Sequence, residues 1–224
     1  MDASYIDLSD PRHLEFDYLR WIRIVLRIAQ ARRVLHIGGG ACALARALAA
    51  EDPHGRQEVC EVDAGVLEIA RRHLGLRRTP GLRVRHTEGR EALRARAGVS
   101  FDAVAVDAFV GARVPVGMTT AEAMTDAAAV APLTVVNVVD DRRGDEVTAV
   151  AAALRQAYPR VWSLGGRVGN TLVAGDRSGL DLRRIAALVA ADPSPVRLIA
   201  PAAMSRRLAT AVVRHDPNTP GAPP

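Results

Sequence analysis

The chain is 224 residues long, 49% hydrophobic and 4% aromatic, which suits one medium-sized domain with an adequate core. Its net charge is +5 and its pI about 10.1, yet all 30 basic residues are arginine and lie scattered among acids, as in "RRIAALV" and "ARRHLGLRR", which argues against nucleic acid as a partner. Two cysteines without metal-ligand spacing, no apolar run of membrane-spanning length and an acidic, proline-broken start predict a cytoplasmic protein with no metal, no membrane association and no signal peptide.

The stretch "SYIDLS" predicts one short strand. Asp10 followed by Pro11 predicts a helix start, an N-cap with proline in the first turn. Leu14, Tyr18, Ile22, Val25 and Ala29 then recur at helical spacing. An alternation follows. Strand "RRVLHI" leads to a helix over 42–50, "QEVCEV" to one over 64–74, and "LRVRH" to a short one near 90–96. Strand "FDAVAV" leads through a loop to a helix near 119–129, and "LTVVNVV" to one over 144–157. The strands are almost continuous apolar runs, as expected when helices cover both faces of a sheet. In "PRVWSLGGRVGNTLVAGD" two further strands, about 160–164 and 170–174, are joined by a connection too short for a parallel crossover, so they pair as an antiparallel hairpin. Helices near 179–190 and 201–213 close the chain, and "DPNTPGAPP" reads as a disordered tail. The expected fold is α/β: a doubly wound, mostly parallel, seven-stranded sheet with a C-terminal antiparallel hairpin. Residues 12–214 form the nucleotide-binding domain and 215–224 the tail.

Gly38, Gly40 and Ala43 satisfy G-x-G-x-x-G/A between the first strand and its helix. With Gly39 they form a backbone stripped of side chains, against which a nucleotide can lie. In an open α/β sheet a ligand sits beyond the carboxyl ends of the strands, so acids there are candidates for its hydroxyls and base edge. Glu61 and Asp63 end the second strand, Glu88 follows the third, and Asp107 ends the fourth. A carboxylate that accepts two ribose hydroxyls makes charge-assisted bonds, each worth roughly 1.5–3 kcal/mol. The crevice suits nicotinamide dinucleotides or S-adenosylmethionine compounds, and the terminal hairpin together with Glu88 favours the second. His36 lies within the first strand and reads as a core or edge histidine. The other histidines show no ligand spacing.

From Ser4 to Asp176 the chain resembles the spermidine synthase (polyamine aminopropyltransferase) family and its spermidine synthase-like relatives, which carry a methyltransferase-like fold. The motifs concerned are "LEFDYLRWI", "VLHIGGG", "CEVDAGVLEIARRHL", "TEGREAL" and "VDAFVGARVPVGMTTAEAM". The resemblance implies that Tyr18 enters the substrate cleft, Glu61 holds the ribose, Glu88 meets the adenine and Asp107 is catalytic. It implies S-adenosylmethionine or decarboxylated S-adenosylmethionine as the group donor and a small-molecule, amine-type acceptor. A homodimer is one option for its assembly. Residues 1–11 would be the remnant of the family's N-terminal β-domain. The sequence departs from the family at the amine site: Ala41 and Val110 stand where it has aspartates, and Leu19 where it has glutamine. Methyl transfer to a small molecule, and adenosyl binding without catalysis, are the alternatives these departures raise.

Overall fold

The structure is a computed structural model and describes residues 4–76, 79–111, 113–140, 144–166 and 169–217. The strand expected over residues 4–9 does not form. Asp7 turns the chain instead: its Oδ1 accepts from the backbone N–H of Ser9 at 2.8 Å and of Asp10 at 3.1 Å. Helix α1 (Asp17–Ile28) begins later than Asp10 predicts. Asp10 holds a turn, its Oδ1 accepting from Arg12 N at 2.9 Å and its carbonyl from His13 N at 3.1 Å, and Phe16 stays extended ahead of the helix.

From there the predicted alternation holds. Strand β1 (Arg33–Gly38) leads to α2 (Ala43–Glu51), β2 (Arg56–Glu61) to α3 (Ala64–His73), and β3 (Leu82–His86) to α4 (Gly89–Arg94). Strand β4 (Ala103–Asp107) leads to α5 (Ala121–Val130), and β5 (Leu133–Asp140) to α6 (Asp145–Ala157). The hairpin is β6 (Arg160–Gly165) with β7 (Gly169–Asp176), followed by α7 (Leu182–Ala190), β8 (Arg197–Ile199) and α8 (Pro201–Arg207). The sheet has eight strands in the order β3-β2-β1-β4-β5-β7-β6-β8. The first five are parallel, and β7, β6 and β8 continue in antiparallel pairing. The eighth strand corrects the seven expected. Three residues, "RLI", are too short to show a strand period, and only their pairing with Ser163–Gly165 makes them one. The last helix is also shorter than expected, ending at Arg207 with a single 3₁₀ turn to Thr210.

Alternation along the strands sorts the core onto two faces. Val34, Ala103 and Ala105 pack beneath α1, α2 and α7, while Leu35, Ile37, Val104 and Val106 pack beneath α4, α5, α6 and α8. Past α8 the chain returns to α5. His215 Nδ1 lies 2.8 Å from Glu122 Oε1, and the Asp216 carboxylate accepts two bonds from Arg90 at 3.0 Å each. Residues 218–224 of the expected tail lie outside the described residues.

The turn after β1 depends on glycine. Gly38 has φ +74°, and a Cβ there would stand 2.5 Å from the Asp107 carbonyl oxygen and 2.8 Å from Ala108 Cα, both backbone atoms that cannot swing aside. Gly38→Ala is therefore expected to destabilise the protein by about 2–5 kcal/mol, the sum of left-handed strain and overpacking. Urea unfolding checks this, and an unchanged midpoint would show that β1 and β4 are not held so closely.

Candidate active site

Register brings the glycine turn and the fourth strand's acid together: Gly38 is the residue paired with Asp107. Gly38, Gly39 and Gly40 all have positive φ, and a Cβ on Gly39 would meet nothing closer than 3.8 Å, so this backbone is open to a ligand. Cys42, also left-handed at φ +67°, opens α2 without a side-chain cap. The uncapped helix start and the open backbone form the concavity that suits the polar part of a nucleoside ligand. Glu61 is buried at the end of β2. Its Oε2 accepts from Gly40 N at 3.2 Å and its Oε1 from Asp63 N at 3.0 Å, so the carboxylate is fixed beside the glycine loop.

The predicted acids do not share one role. Asp63 caps α3, with Oδ1 accepting from Gly65 N at 2.8 Å and Val66 N at 3.1 Å. Glu88 caps α4, with Oε2 accepting from Glu91 N at 3.0 Å. Both are exposed at the carboxyl ends of the strands, and neither lines the cavity described below.

Asp107 is the centre of a hydrogen-bonded group. Tyr18 Oη donates to its Oδ2 at 3.2 Å, and Asn137 Nδ2 donates to its Oδ1 at 2.9 Å. Loss of hydration pushes the Asp107 carboxyl above the ordinary carboxylate range. The two donated bonds pull it down, and the charge on Glu61 adds to the rise. Burial and the negative charge of Asp107 likewise push the Tyr18 hydroxyl upward. Tyr18 is delivered by the first turn of α1, whose apolar stripe (Trp21, Ile22, Val25 and Leu26) locks the helix onto the sheet. Asn137 had one signal in the sequence, an amide inside the apolar run "LTVVNVV". Its Oδ1 is buried with no partner among the described residues.

A cavity of about 80 Å³ opens at Gly38–Gly40, Tyr18 and Asp107 and runs between the sheet and the starts of α1 and α2, reaching Leu19, Leu44 and His36. Among the described residues Asp107 is the one carboxylate that lines it. Ala41 offers only its backbone N–H, which donates to Ser4 Oγ at 3.1 Å. Val110 is 74% exposed and points no carboxylate inward, and Leu19 is packed into the core. Glu15 pairs with His13 at 3.0 Å at the surface, and Asp17 Oδ1 accepts from Tyr18 N at 2.7 Å.

A parallel sheet with a glycine turn after its first strand, acids at the following strand ends and an antiparallel terminal hairpin is the methyltransferase-type α/β fold. Within that class its structure is similar to those of spermidine synthases. It superposes on a probable spermidine synthase from Corynebacterium glutamicum with a TM-score of 0.83 and 25% identity, over 96% of this chain and 85% of that one. A spermidine synthase in complex with the transition-state analogue AdoDATO matches at TM-score 0.62 and 17% identity, over 87% of this chain and 71% of that one. Human methyltransferase-like protein 13 in complex with SAH matches at 0.60 and 16%, over 92% of this chain and 93% of that one. No protein-family model and no curated protein sequence matches the chain. Among the described residues, no helix is long and apolar enough to cross a membrane.

Proposed function

We propose that this protein is a transferase that takes an alkyl group from S-adenosylmethionine, or from its decarboxylated form, and delivers it to a small acceptor held between Tyr18 and Asp107. One observation carries the reading: the Tyr18–Asp107–Asn137 group adjoins the side-chain-free Gly38–Gly40 backbone and Glu61. The bound ligands of two structural neighbours, AdoDATO and SAH, support an adenosyl donor in this fold. Glu61 is the residue for the ribose hydroxyls. Its carboxylate is already aimed at the loop and keeps lone pairs beyond the two backbone bonds it accepts.

An adenosyl sulfonium supplies an electrophilic carbon and a neutral thioether leaving group. The chain's residues do the rest. Tyr18 and Asn137 hold the two Asp107 oxygens in a fixed plane on the wall of the cavity. As the acceptor's nitrogen or oxygen bonds to the donor carbon and the carbon–sulfur pair leaves with sulfur, Asp107 takes the proton that the nitrogen or oxygen sheds. Its raised pKa improves it as a base. Aminopropyl transfer would release methylthioadenosine, and methyl transfer would release S-adenosylhomocysteine. A cavity with one carboxylate among the described residues favours an acceptor of low charge, and so brings methyl transfer forward beside aminopropyl transfer.

Calorimetry with S-adenosylmethionine, its decarboxylated form and methylthioadenosine tests the donor. Glu61→Ala should weaken methylthioadenosine binding by about ten- to a hundred-fold through lost charge-assisted bonds. Unchanged affinity in a folded variant would remove Glu61 from the ribose, and no binding of any of the three ligands would sink the transferase reading.

A further inference from the structure

The lining of the cavity includes a polar side chain that the transferase chemistry does not use. His36 sits on the face of β1 that carries Val34, turned toward α1 and α2, and is only 4% exposed. Its Nε2 lies 2.9 Å from Gln57 Oε1, across the β1–β2 pair. Gln57 is equally buried, and its Nε2 donates to the carbonyl oxygen of Arg32 at 3.3 Å. That bond fixes which way the amide points. An amide oxygen only accepts, so His36 Nε2 must carry the hydrogen, and in the neutral ring Nδ1 is left as an acceptor. Burial pushes the His36 pKa down to about 4, so the ring is neutral at pH 7. Nδ1 has no hydrogen-bond partner among the described residues, and His36 is one of the residues that line the cavity, which is where Nδ1 can find a donor.

The residues paired with His36 on the neighbouring strands, Val59 and Ala105, are apolar, and Leu19 and Leu44 add further apolar lining to the cavity. A histidine kept only for packing would be better replaced by an apolar side chain, since an open acceptor in apolar surroundings goes unsatisfied. We propose that His36 determines acceptor specificity: its Nδ1 receives a hydrogen bond from an uncharged O–H or N–H on an acceptor whose remaining body is small and apolar. The proposal rests on the transferase reading for the word acceptor, but not for the pocket itself. The one carboxylate an ammonium group would find along the cavity among the described residues, Asp107, is already engaged by Tyr18 and Asn137.

The experiment uses the whole chain and three probes of one shape: butan-1-ol, butylammonium, and methyl propyl ether, which lacks the donor. Long-range proton–nitrogen correlation spectra of the free wild-type protein should show His36 with Nε2 protonated and Nδ1 bare. Butan-1-ol should move the Nδ1 resonance and bind about three- to ten-fold more tightly than the ether, the yield of one neutral hydrogen bond. His36→Leu should erase that preference, and His36→Gln, which keeps an acceptor, should retain part of it. The tautomer measurement needs no variant, so a variant that fails to fold does not decide the matter. A proton on Nδ1, equal binding of alcohol and ether, tightest binding of butylammonium, or no binding of any probe would overturn the proposal. Methylthioadenosine calorimetry on the same wild-type sample reports the donor site separately, so failure of the transferase reading is distinguishable from failure of the His36 proposal.

Discussion

Asp107→Asn should lower turnover by about 10²–10⁴-fold, the range for loss of a positioned base, and yet raise the melting temperature at pH 7. Both effects come from one environment. The asparagine fits without rearrangement: its Oδ1 can accept from Asn137 Nδ2, and its Nδ2 can donate to Tyr18 Oη. Proton uptake is lost, but the geometry stays. The stability effect follows from the raised Asp107 pKa, whose main cause is burial. The native protein holds the Asp107 proton to a higher pH than the unfolded chain, where the carboxyl titrates near 3.8. The stability contributed by the protonated form is complete below the unfolded value and is lost as pH rises through the native one. Asparagine is neutral throughout. The variant and the wild type should therefore melt alike at pH 3, and the variant should gain as pH rises toward neutrality. Thermal melts across this range need no acceptor. If wild type and variant keep a constant gap from pH 3 to pH 8, the Asp107 environment is not the one described.

Putrescine should be a poor acceptor, at least a thousand-fold slower here than with an authentic spermidine synthase. At pH 7 a lysine-like amine with pKa near 10.4 is neutral in only about one molecule in 2,500, a cost of roughly 4.6 kcal/mol before any attack. The dication must also be taken into the cleft. Ala41 supplies only a backbone N–H, which is donated to Ser4, and Val110 faces solvent. Asp107 is thus the single carboxylate along the cavity among the described residues. Missing compensation for one buried ammonium is enough for the expected loss. The check is product formation from putrescine and decarboxylated S-adenosylmethionine beside the authentic enzyme. Turnover within ten-fold of that control would mean that Glu15 and Asp17 leave His13 and the start of α1 to meet the amine.

By itself the sequence determined the layered architecture. Apolar strands alternating with helical periods admit few arrangements, and the short Gly-rich link between β6 and β7 forces antiparallel pairing. The tight turn at Gly38–Gly40 was equally legible, because three glycines between a strand and a helix have a local reason: positive φ and close approach of backbone. The start of α1 and the missing strand at residues 4–9 were not. A cap signal such as Asp10–Pro11 is satisfied equally well by a turn, and a lone strand forms only where an edge accepts it. The division of labour among the acids was likewise decided in three dimensions. Asp63, Glu88 and Glu61 look alike in sequence. The positions of nearby backbone N–H groups make the first two helix caps and leave the third buried against Gly40. Asn137 lies 30 residues from Asp107 and His36 lies 21 from Gln57, and only the parallel pairing of β4 with β5 and of β1 with β2 sets each pair in contact. Such contacts follow from strand register, which is a property of the whole sheet and is written in no single segment of the chain.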